Sequence, residues 1–222
     1  MTRAIWCQVG LALAGVMLIG LVTGCGQSTP EPAEVIRPLT AEEHADLDRQ
    51  IQEYTQAIAL DPQDAVAHYN RGVAYYGRGD VDLAIADYSQ AIALDPQYAD
   101  AYYKRGIAYR EIGDMDEIVA DFERAMADFD RAIALDPQSA DAYFSRGLCY
   151  LEADRFDQAV ADLTRSLELN PDDPGPYYVR GRIYALLGDR DRAISDLERA
   201  LQLGLDPSSK AMAETVLEDL KR

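Results

Sequence analysis

Ala-Ile-Ala-Leu-Asp-Pro stands at 57–62, again at 91–96 and a third time at 132–137, and Leu167-Glu168-Leu169-Asn170-Pro171 is a looser fourth copy. Self-similarity at a fixed period comes before every other local signal, because it means that one supersecondary unit is stacked on itself. Two of the intervals between copies are 34 residues and one is longer. Aligned on these copies, the chain divides into units at 65–98, 99–139, 140–173 and 174–207, with a partial unit at 40–64 before them and a closing segment at 208–222.

Inside each unit the residue types suit two antiparallel helices. Positions 8 and 20, where such helices approach most closely, are small: Gly72 with Ala84, Gly106, Gly147 with Ala159, and Gly181 with Ala193. Position 11 is a packing aromatic (Tyr75, Tyr109, Tyr150, Tyr184), and position 24 is large, as Tyr88, Leu163 and Leu197. Pro96, Pro137 and Pro171 end the second helix, since proline cannot continue it and its predecessor is pushed toward extended backbone. Gly79, Gly113 and Gly188, each followed by Asp, make the turn between the helices; Asp154 replaces glycine there and must accept the same left-handed backbone.

This 34-residue pattern of small and aromatic residues resembles the tetratricopeptide repeat family over nearly all of the chain after residue 40. The resemblance implies an all-α fold, an α-solenoid of helix-turn-helix repeats wound into a right-handed superhelix with terminal capping helices. A single hairpin cannot bury its own apolar faces and must stack on its neighbours. Thr40-Ala41-Glu42-Glu43 reads as a capping box opening one long helix to Leu60. Met212, Val216, Leu217 and Leu220 mark the apolar face of a final helix that covers the last repeat.

Two departures from regularity carry information. The unit at 99–139 is extended by seven residues because Ala120–Met126 and Ala127–Ile133 are tandem near-copies. Seven residues advance a helix by about 700°, nearly two whole turns, so the small position falls on Ile118 counted from the front and on Ala125 counted back from Pro137. Both registers stay open in the sequence, which predicts a continuous helix from about Met115 to Leu135. A neutral duplication and a partner-specific edge are equally good accounts of it. The second departure is arginine at position 7 of every full unit (Arg71, Arg105, Arg146, Arg180) with an acid at position 23: Asp87, Asp121 or Asp128, Asp162 and Asp196. These are predicted to form a ladder of partly buried ion pairs.

In the family, the first helix of each hairpin lines the concave groove. Carried over position by position, the partner-binding residues are Tyr69, Asn70, Val73 and Tyr76; Tyr103, Lys104, Ile107 and Arg110; Phe144, Leu148 and Leu151; and Tyr178 and Arg182. The row Tyr69, Tyr103, Phe144, Tyr178 suits an extended peptide or a docked helix, and equally suits packing inside the hairpins. A terminal-carboxylate clamp is disfavoured, because Tyr69 and Val73 stand where two of its polar residues belong. The implied function is a non-enzymatic interaction scaffold or adaptor; the alternative is a rigid structural subunit that docks through its convex or end surfaces.

Catalytic constellations are absent from the sequence. His68 replaces a packing aromatic at position 4, His44 is its only fellow, and Cys149 has no adjacent base to make it a nucleophile. No phosphate loop or metal-ligand cluster stands out, and no cofactor is expected. Arg78-Gly79-Asp80 spells an adhesion tripeptide but coincides with the hairpin turn. A formal net charge of −18 argues against nucleic acid as a partner. It either keeps the repeat surface soluble or favours basic protein partners.

Met1–Arg3 give a short positive start and Ala4–Val22 a nearly unbroken apolar run, interrupted by Gln8, Gly10, Gly15 and Gly20. This is the layout of a secretory signal, long enough to be read also as a spanning helix. Val22-Thr23-Gly24-Cys25 resembles the lipobox of bacterial lipoproteins. That resemblance implies a signal peptide over 1–24, cleavage after Gly24, and acylation of Cys25 with chains such as palmitate. It also implies a place in the bacterial cell envelope, lipid-anchored to a membrane facing the periplasm. Several acyl chains hold stably where one holds only marginally. Gly26 after the cysteine points to the outer membrane. Residues 25–39, with Pro30, Pro32 and Pro38, form an extended tether reaching roughly 40 Å at about 3.1 Å per residue.

Overall fold

A computed structural model describes residues 39–112 and 118–222. The leader, Cys25, the tether up to Pro38, the Gly113 turn and the predicted helix start at Met115 lie outside these residues. The described part is all-α: α1 (Ala41–Leu60), α2 (Ala65–Arg78), α3 (Val81–Leu94), α4 (Ala99–Ile112), α5 (Ile118–Leu135), α6 (Ala140–Glu152), α7 (Phe156–Leu169), α8 (Pro174–Leu186), α9 (Arg190–Leu203) and α10 (Pro207–Lys221). Helices α2/α3, α4/α5, α6/α7 and α8/α9 form the four hairpins of an α-solenoid. Each second helix also packs on the next first helix, while α2 meets α4 and α4 meets α6. None of these helices is long and apolar enough to cross a membrane.

Local chemistry sets the boundaries. The α1 capping box is complete: Thr40 Oγ1 accepts from Glu43 N at 3.2 Å, and Glu43 Oε2 accepts from Thr40 N at 2.7 Å. Asp64, Ser139, Asp173, Asp189 and Asp206 likewise accept from the first turns of α2, α6, α8, α9 and α10. Every Asp-Pro stop is reinforced by the same turn, in which Asp61, Asp95 and Asp136 accept from the backbone N–H two residues on at 2.9–3.0 Å. Between helices, Gly79 and Gly188 lie at φ 90° and 79°, and Asp154 adopts φ 58° in the equivalent turn. The Arg78-Gly79-Asp80 turn is engaged internally, Arg78 pairing with both Asp80 and Asp48.

Small residues admit large ones across each hairpin. A Cβ on Gly72 would sit 2.8 Å from the Tyr88 ring, and one on Gly106 would meet three atoms of the Phe129 ring at 2.9–3.1 Å. Phe129, together with buried Ala125, therefore fixes the register of the long unit: it counts back from Pro137, and the extra turns lie at the N-terminal end of α5. Helix α5 runs unbroken from Ile118 to Leu135, 18 residues against 14 in α3, α7 and α9.

The last helix continues the stack. Helix α10 packs on α8 and α9 where the first helix of a fifth hairpin belongs, burying Ala213 and Leu217 among Tyr178, Val179, Ile183, Leu197 and Ala200. Val216 and Leu220 pack against the same cluster as Leu217, and Met212, 38% exposed, reaches Tyr178 at its edge. Its ladder position holds Glu214 in place of arginine, and Lys221 Nζ bonds Glu198 Oε1 at 2.7 Å across the end.

Candidate binding groove

The arginine ladder forms in all four hairpins. Arg71 grips Asp87 through Nε and Nη2 at 2.7 and 2.8 Å, Arg105 grips Asp128 at 2.8 and 2.8 Å, Arg146 grips Asp162 at 2.7 and 2.7 Å, and Arg180 grips Asp196 at 2.7 and 2.9 Å. Hydrogen bonding to the aspartate pushes the guanidinium pKa of Arg71, Arg105 and Arg146 above its ordinary value. Asp128, not Asp121, is the partner in the long unit; Asp121 is buried and bonds Arg124 at 2.7 Å one turn along its own helix.

Each ladder arginine also reaches back one repeat, an element that sequence reasoning missed. Its Nη1 donates to Thr55 Oγ1 (3.2 Å), Ser89 Oγ (3.0 Å), Asp130 Oδ1 (2.6 Å) and Thr164 Oγ1 (2.9 Å) in turn. Arg105, Arg146 and Arg180 each lie over the rings of the tyrosines at positions 4 and 11, with Cζ 5.7–6.0 Å from the ring centroids. In the first full unit His68 takes the position-4 place, buried, with Nδ1 3.4 Å from Asp87 Oδ1. Charges at these positions are consumed in joining hairpins, and the predicted groove positions lie on the other side of the first helices.

There the thirteen predicted groove residues divide into three groups. Leu148 and Tyr178, 8% and 6% exposed, are core residues and correct the sequence expectation. Tyr178 is sealed by α10, its hydroxyl 3.5 Å from Met212 Sδ, and Leu148 packs in the same cluster with Leu163. The other members of the aromatic row are half-buried and packed within the stack. Tyr69 lies against Tyr88 and Tyr98 at 5.9 and 4.9 Å between centroids, Tyr103 against Phe129 at 5.9 Å, and Phe144 closes over Gly175. Burial, aided by Asp100, pushes the Tyr69 hydroxyl up to about 12. The third group, Asn70, Val73, Tyr76, Lys104, Ile107, Arg110, Leu151 and Arg182, keeps solvent-accessible surface, with Val73 38% exposed. Burial and then the Glu111 carboxylate push the Tyr76 hydroxyl above its ordinary value.

Burial, with Glu152 adding to it, pushes the fully buried Cys149 thiol up to about 12, so it carries no thiolate near neutral pH. Among the described residues no cluster of His, Cys, Asp or Glu is arranged to hold a metal ion.

Residues 46–79 and 74–113 match a family described as TPR repeat, and residues 118–174 and 150–210 match two described as tetratricopeptide repeat. The chain belongs to the tetratricopeptide repeat family. Solved tetratricopeptide repeat structures similar to it include MamA, at 27% identity and TM-score 0.64 over 73% of this chain and 91% of that one. A thermophilic TPR protein of Thermus thermophilus, TTC0263, aligns at 24% identity and TM-score 0.62 over 78% of this chain and 91% of its own, a likeness of fold. The first TPR of Spaghetti (RPAP3), bound to the HSP90 peptide SRMEEVD, aligns at 26% identity and TM-score 0.52 over 58% of this chain and 96% of its own. Among curated proteins none matches the sequence.

Proposed function

We propose that this chain is a membrane-tethered, non-enzymatic adaptor of the bacterial envelope that binds segments of partner proteins along its first helices. One observation carries the binding part: the recurring charges, arginine on the first helices and aspartate on the second, are spent on the ladder, whereas the first helices also leave a strip from Asn70 through Ile107 to Leu151 that is half-exposed and mixed in polarity. A strip with apolar centres and polar flanks suits a segment docked by side chains into shallow pockets. The peptide complex of the Spaghetti TPR supports the same use of the fold. The tether part rests on the lipobox-like Val22-Thr23-Gly24-Cys25 and the proline-containing stretch that follows.

The test combines both parts. Cys25→Ser should move the protein from the membrane to the soluble fraction and abolish acylation seen by mass spectrometry of the N-terminus. Val73→Glu with Ile107→Glu should abolish partner capture while helicity stays unchanged. Retained capture would favour the second reading, a rigid subunit docking by its edges. That reading draws on Leu186 and Leu187, 56% and 52% exposed at the last hairpin turn, where Leu187 and Phe156 border a notch.

A further inference from the structure

We infer that the strip across the first three full hairpins selects an acidic segment of its partner, with carboxylate side chains held by Lys104 and Arg110 and apolar ones by Val73, Ile107 and Leu151. This rests on the groove reading above and adds the chemistry of the occupant. Most cations elsewhere in the described structure are neutralised: the four ladder arginines, Arg49, Arg78, Arg124, Arg165, Arg192, Arg199, Lys221 and Arg222 sit within ion-pair distance of a carboxylate, while Arg131, Arg155, Arg190 and Lys210 do not among the described residues. Lys104, Arg110 and Arg182, all on first helices and all predicted to face the groove, make no such pair among the described residues. Lys104 lies against the Tyr103 ring, with Nζ 5.8 Å from its centroid, and Arg182 leans on the Tyr178 ring at 5.3 Å.

Arg110 is the centre of the case. Its Nε is buried and has no hydrogen-bond partner, although the side chain as a whole keeps solvent-accessible surface. The buried Nε is out of an incoming group's reach, but the accessible Nη donors of the same guanidinium make no hydrogen bond among the described residues, and a carboxylate brought to that open side would form charge-assisted bonds with them. Arg110 lies close enough to Tyr76, Tyr103, Cys149 and Glu152 to act on each electrostatically, which places it at the junction of three successive hairpins. Glu111 and Glu152 border the site, yet neither comes within ion-pair distance of it among the described residues.

The net charge of −18 opposes this occupant at long range. At physiological ionic strength, however, exposed charges farther than about 8 Å are largely screened, so the cations in contact decide. Recognition by side chains along the strip, rather than by a chain terminus, follows from Tyr69 and Val73 standing at the first unit's groove positions, where neither offers a cation.

The experiment is selection of random twelve-residue peptides displayed on phage, each fused at its C-terminal end so that no free carboxyl terminus is presented, against the purified full chain. Expected are peptides enriched in Asp and Glu spaced among apolar residues. Synthetic copies should bind at least about fivefold more weakly to Lys104→Gln and to Arg110→Gln, and Arg110→Lys should recover part of the loss. Lys104→Gln serves as the variant least able to disturb folding, and melting curves accompany all three. Neutral or basic selected peptides, or acidic ones indifferent to both substitutions, would overturn the acidic occupant while leaving the groove reading in place. Peptides of any charge that ignore Val73→Glu, or no selected peptide at all, would overturn both.

Discussion

The α4/α5 hairpin and the α6/α7 hairpin make the same ladder contact from different sequences. Arg146 and Asp162 are 16 residues apart, whereas Arg105 and Asp128 are 23 apart, and both pairs are bidentate at 2.7–2.8 Å. The same holds between repeats, where Arg105 reaches Ser89 and Arg146 reaches Asp130. A seven-residue insertion has therefore been absorbed without displacing either interface. Register is set by what must touch, namely Phe129 over Gly106 and Asp128 on Arg105, and the surplus helix lies on the N-terminal side of those contacts.

The sharpest way to break the equivalence is to remove one member of each pair. The aspartate side chains are 8% and 9% exposed, so Arg105→Leu and Arg146→Leu each leave a buried carboxylate without its cation. Each should cost about 3–5 kcal/mol in chemical denaturation. Adding Asp128→Leu or Asp162→Leu should recover most of that loss, because an apolar pair of similar size does not carry the desolvation cost. Equal losses in the two hairpins are expected. A much smaller loss at Arg105 would mean that Asp128 finds another partner in the long unit, and the equivalence would fail.

A smaller effect separates α2/α3 from α4/α5. Tyr88 and Phe129 occupy the same position, both fully buried, and they differ by one hydroxyl. Tyr88 Oη is buried without a hydrogen-bond partner, and burial pushes that hydroxyl above its ordinary pKa. Tyr88→Phe should stabilise the protein by about 1 kcal/mol, since it removes an unpaired polar atom and keeps the ring. Destabilisation instead would show that the hydroxyl is bonded in solution.

The repeat, the Thr40 capping box, the turns at Gly79, Asp154 and Gly188 and the ladder were legible in the sequence, because each depends on residues a fixed distance apart. The choice between Asp121 and Asp128 was not. A seven-residue shift turns a helix by nearly two whole turns, so Phe122 and Phe129, or the two aspartates, share a face and only the partner across the hairpin distinguishes them. The backward reach to Thr55, Ser89 and Thr164 was hidden because a hydroxyl on a helix surface reads as ordinary solvated sequence; its signal was the recurrence two residues after the ladder acid. Groove positions followed from the family pattern, yet Tyr178 is buried by a residue 34 positions later, in a helix outside its unit.

The insertion itself gives the smallest expected effect. Deleting 115–121 joins Gly113-Asp114 directly to Phe122-Glu123-Arg124-Ala125-Met126-Ala127-Asp128-Phe129, which then parallels Asp154-Arg155-Phe156-Asp157-Gln158-Ala159-Val160-Ala161-Asp162-Leu163 position for position. Phe122 would begin the helix as Phe156 begins α7, and Arg105 to Asp128 would shorten to the spacing of the other rungs. Buried Asp121 leaves with the deleted turns, and Arg124 loses that one carboxylate. Because the retained contacts are those that set the register, stability should change by less than about 1 kcal/mol, at the low end of ordinary single substitutions. Circular dichroism should show a helical, cooperatively melting chain. Loss of cooperative melting would mean that the extra turns hold the stack together. Intact melting with loss of partner capture would instead make them a recognition edge and settle why the duplication persists.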